Sequence, residues 1–231
     1  MVSVPLTWSD LGPVVLSIQL ALVTTVILFI FGVPIAWWLA QRKTFIRGIV
    51  GAVITLPLVL PPSVLGFYVL IALGPEGPLG RLLQYWGIGT LNFTFTGLVI
   101  GSVIYSLPFM IQPVRSTFES IGSNPIEVAQ TLGIAPWKAL ITLVLPMASH
   151  GLLTGILMTF SHTIGRFGVV LMIGGNIPGS TQVVSTEIFT FVEALEYEKA
   201  HWLSGGMLLF SFLVLMSLHY FEKWQAKGVA K

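Results

Sequence analysis

Residues 11–41, 48–75, 82–114, 139–165, 167–186 and 200–221 contain no Asp, Glu, Lys or Arg. A helix needs about 20 apolar residues to cross the hydrocarbon of a bilayer. Five of these runs meet that length, giving expected spans near 13–39, 48–74, 94–113, 147–166 and 202–221. The run 167–186 is interrupted by Gly174, Gly175, Pro178 and Gly179. It reads as a short or re-entrant piece, so five spans are expected and six are the alternative. An ordinary soluble domain is about 25% charged. This chain of 231 residues is 9% charged and 55% apolar, which leaves too little polar surface to cover a water-soluble core. With a mean hydropathy of +0.90, the chain is expected to be a single all-α, multi-pass membrane domain, 1–231. The same numbers exclude a disordered chain, a coiled coil, a collagen and a nucleic-acid binder. The absence of Cys excludes a disulfide scaffold, cysteine-ligated iron–sulfur clusters and thiolate catalysis.

Basic residues set the expected orientation. Five spans place Arg42, Lys43, Arg47, Arg115, Lys138, Lys223, Lys227 and Lys231 on one side and only Arg81 and Lys199 on the other. The first side is then cytoplasmic, with the N-terminus outside and the C-terminus inside. Asp10, Glu76, Glu187, Glu193, Glu196 and Glu198 fall outside. Trp37, Trp38, Trp86, Trp202, Tyr220 and Trp224 lie near span ends, where amphipathic rings sit at the headgroup level. The opening MVSVPLTWSD has no basic n-region and is not expected to be a cleaved signal peptide.

The segment 114–146 is the largest element expected in the cytoplasm. Asn124 can cap a helix with Pro125 at its first position and Glu127 at its third, a capping-box arrangement. Gly133 stands where a left-handed residue ends a helix. The expected product is a two-turn helix, 125–132, with Ile126, Ala129 and Leu132 near one face. A helix this short is unstable alone in water, so it either packs on its own loop or the membrane surface, or docks on a partner. Pro136 is expected to start a second helix that runs through Leu145 and Pro146 into the fourth span.

Glu127, Val128 and Ala129, then three residues, Gly133, nine residues, and Leu143 to Pro146 resemble the EAA motif of permease subunits of bacterial ABC importers. The departures are Val128 for Ala and Leu143 for Ile. The resemblance implies that Glu127, Ala129, Gly133, Leu145 and Pro146 belong to a coupling element that docks on an ATP-hydrolysing subunit. Leu56 to Pro62, reading LPLVLPP, resembles the molybdate permease group, with sulfate and tungstate permeases as relatives. Gly165-Arg166-Phe167-Gly168 stands where that group commonly has GEFG, and Asn176 to Gly179 is also similar. Arg166 in place of Glu reverses the charge at that position.

Pro57, Pro61 and Pro62 remove three backbone donors within six residues of a spanning segment. The freed carbonyls must meet neighbouring protein or water in a cavity; a packing kink and a bend along a pathway are the two readings, and the resemblance favours the second. Arg166 is the sole charge in 139–186. It reads either as an interfacial, snorkelling arginine or as a guanidinium that faces an oxyanion. At about 1.5 Å per residue it falls about 30 Å beyond Pro146, near the outer mouth. His150 and His219 on one side, and His162 and His201 on the other, would suit a membrane di-haem subunit. That reading leaves the EAA-like motif unexplained.

The chain has no G-x-x-x-x-G-K-[ST] run, so catalysis is assigned to a partner and no enzyme activity, metal or cofactor to this chain. The resemblance implies a type I ABC importer permease fold in the cytoplasmic (inner) membrane. The expected partners are a second permease copy, two ATPase subunits, an extracytoplasmic substrate-binding protein and membrane lipid, with no nucleic acid. The cargo would be molybdate or a similar tetrahedral oxyanion, moved along a path shaped by Pro57, Pro61, Pro62, Gly165, Arg166 and Gly168. A haem- or quinone-binding electron-transfer subunit and a secondary transporter are the alternatives.

Overall fold

A computed structural model describes residues 11–41, 44–87 and 89–229, with side chains to 217 and that of Tyr220. Arg42, Lys43, Lys231, Asp10 and the N-terminal ten residues lie outside the described residues, as do the side chains of His219, Lys223, Trp224 and Lys227. Every element is helical among the described residues: α1 (Gly12–Gln41), α2 (Phe45–Val59), α3 (Pro62–Leu73), α4 (Pro78–Tyr85), α5 (Phe95–Ile121), α6 (Asn124–Thr131) and α7 (Pro136–Ala139). A π-helical turn (Leu140–Val144) follows, then α8 (Leu145–Met147), α9 (Ser149–Ile164), α10 (Gly168–Gly174), α11 (Val184–Glu193) and α12 (Tyr197–Val229). Segments 12–41, 62–85, 95–121 and 197–217 are each long and apolar enough to cross a membrane, and the bent pair 136–147 with 149–164 makes a fifth. Four of the five expected spans correspond to these segments, the one expected at 147–166 being bent. The span expected at 48–74 is instead divided between α2, a shorter apolar helix, and α3, which with α4 makes the segment 62–85. The run 167–186 is a short helix and a turn leading into α11, as its glycines require.

Helix α5 is the axis of the bundle, packed against α1, α9, α10 and α2. Thr94 caps it, its hydroxyl accepting the Gly97 N–H at 3.1 Å. The helix continues past 113 to Ile121, so the first turns of the stretch expected as loop are helical. The Arg115–Glu119 pair, 2.7 Å apart one turn on, supports that extension. Small residues set how closely α9 approaches. A Cβ on Gly151 would lie 2.6 Å from the Thr117 Cβ, and one on Gly155 would lie 3.1 Å from the Met110 carbonyl oxygen.

The expected continuous helix from Pro136 into the fourth span is instead bent by 71°. Pro146 has no N–H, and its ring crowds the carbonyl four residues back. The chain widens into the π turn just before it, and the bend falls at Ala148. The second span is likewise two helices. Leu60 and Pro61 are both extended, at ψ 136° and 137°, because residues preceding proline avoid the α region.

The core is two apolar clusters with a polar layer between them. One contains Leu28, Met110, Val114, Phe118 and Val144, and the other Leu20, Leu65, Leu98, Val169 and Ile173. By position along α1, α5 and α9, buried Thr24, Thr25, Ser102, Ser106, Thr159 and Thr163 fall in the interval between the clusters. Gly151→Val should destabilise the α5–α9 crossing by about 1–3 kcal/mol, the usual cost of overpacking. Gly205→Ala, with nothing within 4 Å of its added Cβ, should leave the thermal melt in detergent unchanged.

Candidate functional site

Two regions have the chemistry that the sequence singled out. The first is the end of the bundle that carries α6. Helix α6 spans Asn124–Thr131, with Pro125 in its first turn and Glu127 acidic near its positive end. The expected Asn124 cap is displaced by one residue. Ser123 is the N-cap, and its side chain makes no capping bond. The C-terminus is a full Schellman closure: Ile134 N–H reaches the Ala129 carbonyl at 3.0 Å and Gly133 N–H the Gln130 carbonyl at 2.9 Å. Gly133 has φ +77°, a region that a side chain makes costly.

Ala129 is buried and Ile126 half-buried, whereas Glu127, Gly133 and Pro146 are exposed and Leu145 is half-buried. Leu132, expected on the inward face with them, is turned outward. With Val128 and Trp137 it forms an apolar edge, each of the three more than 60% exposed. Trp137 was not singled out by the motif. Beneath α6 a cavity of about 750 Å³ lies between the ends of α1 and α5 and the α6–α7 hairpin. Trp37 and Phe118 wall it, their rings edge-to-face at 5.1 Å.

The second region is where the break in the second span meets the end of the fourth. Pro61 and Pro62 are exposed and Pro57 is buried. Because 61 and 62 are both prolines, the Pro57 and Leu58 carbonyls have no N–H four residues on. The break between α9 and α10, at Gly165 to Phe167, lies beside this one. A Cβ on Gly168 would be 3.1 Å from the Pro62 Cβ, and one on Gly66 would be 2.9 Å from the Met172 Cβ. Gly165 is exposed and Gly168 half-buried. The sequence marked these residues separately, and the fold brings Pro61, Pro62 and Gly168 together.

Arg166 sits behind that junction, 5% exposed. Its Nη1 and Nη2 lie 3.3 and 3.4 Å from the Ser102 carbonyl, and Nη2 also donates to the Ser106 hydroxyl. Thr163 Oγ1 is 3.4 Å and His162 Nδ1 3.3 Å from the same nitrogen. The guanidinium carbon stands 4.7 Å from the centre of the Tyr105 ring. The counted distance along the span put Arg166 at an outer mouth. The side chain instead turns inward, and the guanidinium lies in the polar layer formed by α5 and the last turn of α9. Ser102, Tyr105 and Ser106 are partners that only the packed register of α5 identifies. His162 stacks on Phe109 with ring centres 3.6 Å apart, whereas His201 is exposed on α12.

A polytopic helical chain with a broken span packed against the end of another, and a short helix presented at one end, fits the membrane-embedded component of a transport system. The chain belongs to the family of binding-protein-dependent transport system inner membrane components, whose model matches residues 32–230. It is 54% identical over 222 residues to the molybdenum transport system permease protein ModB of Azotobacter vinelandii, covering 96% of this chain and 98% of that one. It is 29% identical to ModB of Haemophilus influenzae, covering 93% and 94%, and 30% identical to the sulfate transport system permease protein CysT of Escherichia coli, covering 86% and 72%. Among solved structures it resembles a chain of a bacterial alginate ABC transporter in complex with its alginate pentasaccharide-bound periplasmic protein. The TM-score is 0.70 at 16% identity, over 93% of this chain and 80% of that one, which establishes the fold. The haem- and quinone-binding readings and the secondary transporter give way to this family.

Gly133→Ala should strain the α6 terminus by about 1 kcal/mol. Amides 130–134 should exchange hydrogen several-fold faster, with the global melting temperature unmoved, since no atom lies within 4 Å of the added Cβ.

Proposed function

We propose that this chain is the transmembrane subunit of an ATP-driven importer that carries molybdate, or a similar tetrahedral oxyanion, across the inner membrane. The single observation that carries this reading is the 54% identity, over nearly the whole of both chains, to a molybdenum transport system permease. The sulfate permease relative at 30% identity supports the oxyanion class. The N-terminus lies outside and the C-terminus in the cytoplasm, a reading supported by the eight-to-two distribution of Lys and Arg. Two permease copies enclose the path, two ATPase subunits supply the energy, and an extracytoplasmic binding protein delivers the anion.

The segment 114–146 is the cytoplasmic coupling region. Helix α6 docks on the ATPase through Val128, Leu132 and Trp137, an apolar edge of the kind that a protein partner covers. Ala129 seats α6 on its own subunit, and the Gly133 closure fixes where its exposed end points. Leu145 and Pro146 place the bend by which a push on α6 and α7 reaches α9. Pro57, Pro61, Pro62, Gly165 and Gly168 shape the path, with Arg166 behind it. The exposed prolines support this assignment, because a helix broken in the membrane needs a wet cavity or neighbouring protein for its freed carbonyls.

Glu127→Lys and Gly133→Pro should leave the chain in the membrane with its ATPase bound, yet lower ATP-dependent molybdate uptake at least ten-fold in proteoliposomes. Full uptake by either variant with an assembled ATPase would refute the docking assignment. A reporter fused after Lys231 should report the cytoplasm and one at Pro78 the outside; an outside C-terminus would reverse the charge-based topology.

A further inference from the structure

Every polar contact of the buried Arg166 guanidinium belongs to α5 or to the last turn of α9, and none of them is an acid. An arginine that takes an anion must present its fork of donors to the anion's path. Here both terminal nitrogens are engaged within the subunit, and the guanidinium carbon lies over the Tyr105 ring. His162 completes the arrangement. Its Nδ1 lies 3.3 Å from the Arg166 Nη2. The main chain at Arg166 is tied as well, its carbonyl accepting the Ser185 hydroxyl of α11. Two residues later α10 begins, and it lies on α3 at the Gly66–Met172 and Gly168–Pro62 approaches.

We propose that Arg166 is a positioning residue: it anchors the start of α10 to α5, and through α10 it holds the Pro61–Pro62 break in its transporting geometry without touching the anion. The inference rests on the reading that this break lines the path. A role as charge alone and a role as anchor differ in what lysine can do. An ammonium returns the charge, but it is a single donor centre. It cannot reach the Ser102 carbonyl, Ser106 and Thr163 while also standing over the Tyr105 ring.

The test uses the assembled transporter, with ATPase and binding protein, in proteoliposomes loaded with ATP. Because the chain has no cysteine, Ser63→Cys beside the break reports on it through its rate of modification by a hydrophilic thiol reagent. That rate is read at rest and in the vanadate-trapped state. Arg166→Gln, Arg166→Lys and Tyr105→Leu should each lower molybdate uptake ten-fold or more while ATP hydrolysis continues, so that more ATP is spent per ion. In each of them the labelling rate at Ser63→Cys should cease to differ between the two states. Ser106→Ala should give a smaller loss of the same kind, and the affinity for loaded binding protein should not move. Uptake by Arg166→Lys at half the wild-type rate or better, with state-dependent labelling retained, would overturn the inference. If Arg166→Gln fails to assemble, the Lys and Tyr105 variants decide by the same criteria. Absence of labelling at Ser63→Cys in every state of a transporting protein would instead refute the pathway reading on which the inference rests.

Discussion

A guanidinium inside a membrane protein must be surrounded by acceptors, and meeting that demand for Arg166 organises the middle of this subunit. A charge inside the membrane is costly and faces polar groups within the bundle. The cost is offset where α5 supplies the Ser102 carbonyl, the Ser106 hydroxyl and the Tyr105 face at one level. The two apolar clusters lie on either side of this layer. Val103 packs against both clusters. The polar layer also fixes the register of α9 on α5, a property that Leu and Val contacts alone leave loose.

Proline supplies the second constraint. Each of the two breaks in the second and fourth spans has a proline at or beside it. Leu60 and Pro61, each followed by a proline, are extended, whereas Leu145 before Pro146 stays helical and the bend falls two residues beyond the proline, at Ala148. The results differ. At Pro61 the helix stops and restarts, and the Pro57 and Leu58 carbonyls lose their helical N–H partners near the junction with α10. At Pro146 the helix widens into a π turn and then bends, so that 136–147 leaves the span and carries α6 and α7 beside it. One break lies beside the start of α10 and the other between the α6–α7 hairpin and α9. The continuous α5, packed against α1, α9, α10 and α2, is the rigid member to which both are referred.

Much of this was legible in the sequence because it is local. Uncharged runs place the spans, the glycines of 167–186 predict a re-entrant piece, and Gly133 with Pro125 predicts a two-turn helix. What escaped depends on contacts between distant segments. The direction of Arg166 is set by α5, some 60 residues earlier in the chain, and no property of 139–186 contains it. Leu132 shares a spacing with Ile126 and Ala129 yet points away, because the Schellman turn rotates the end of α6 outward. The loop expected from Arg115 onward is helix, since an Arg–Glu pair one turn apart suits a helix surface as well as a loop. Ser123 rather than Asn124 starts α6, a one-residue shift of the kind that neighbouring polar residues produce at helix ends.

The central claim is that energy enters through α6 and reaches the oxyanion path through the bend at Ala148. Its most direct measurement is photocrosslinking from a diazirine side chain at Leu132 in the assembled transporter, with and without ATP. The account predicts crosslinks to the ATPase subunit whose yield changes when nucleotide binds. Crosslinks confined to lipid or to the second permease copy, with no response to ATP, would contradict it.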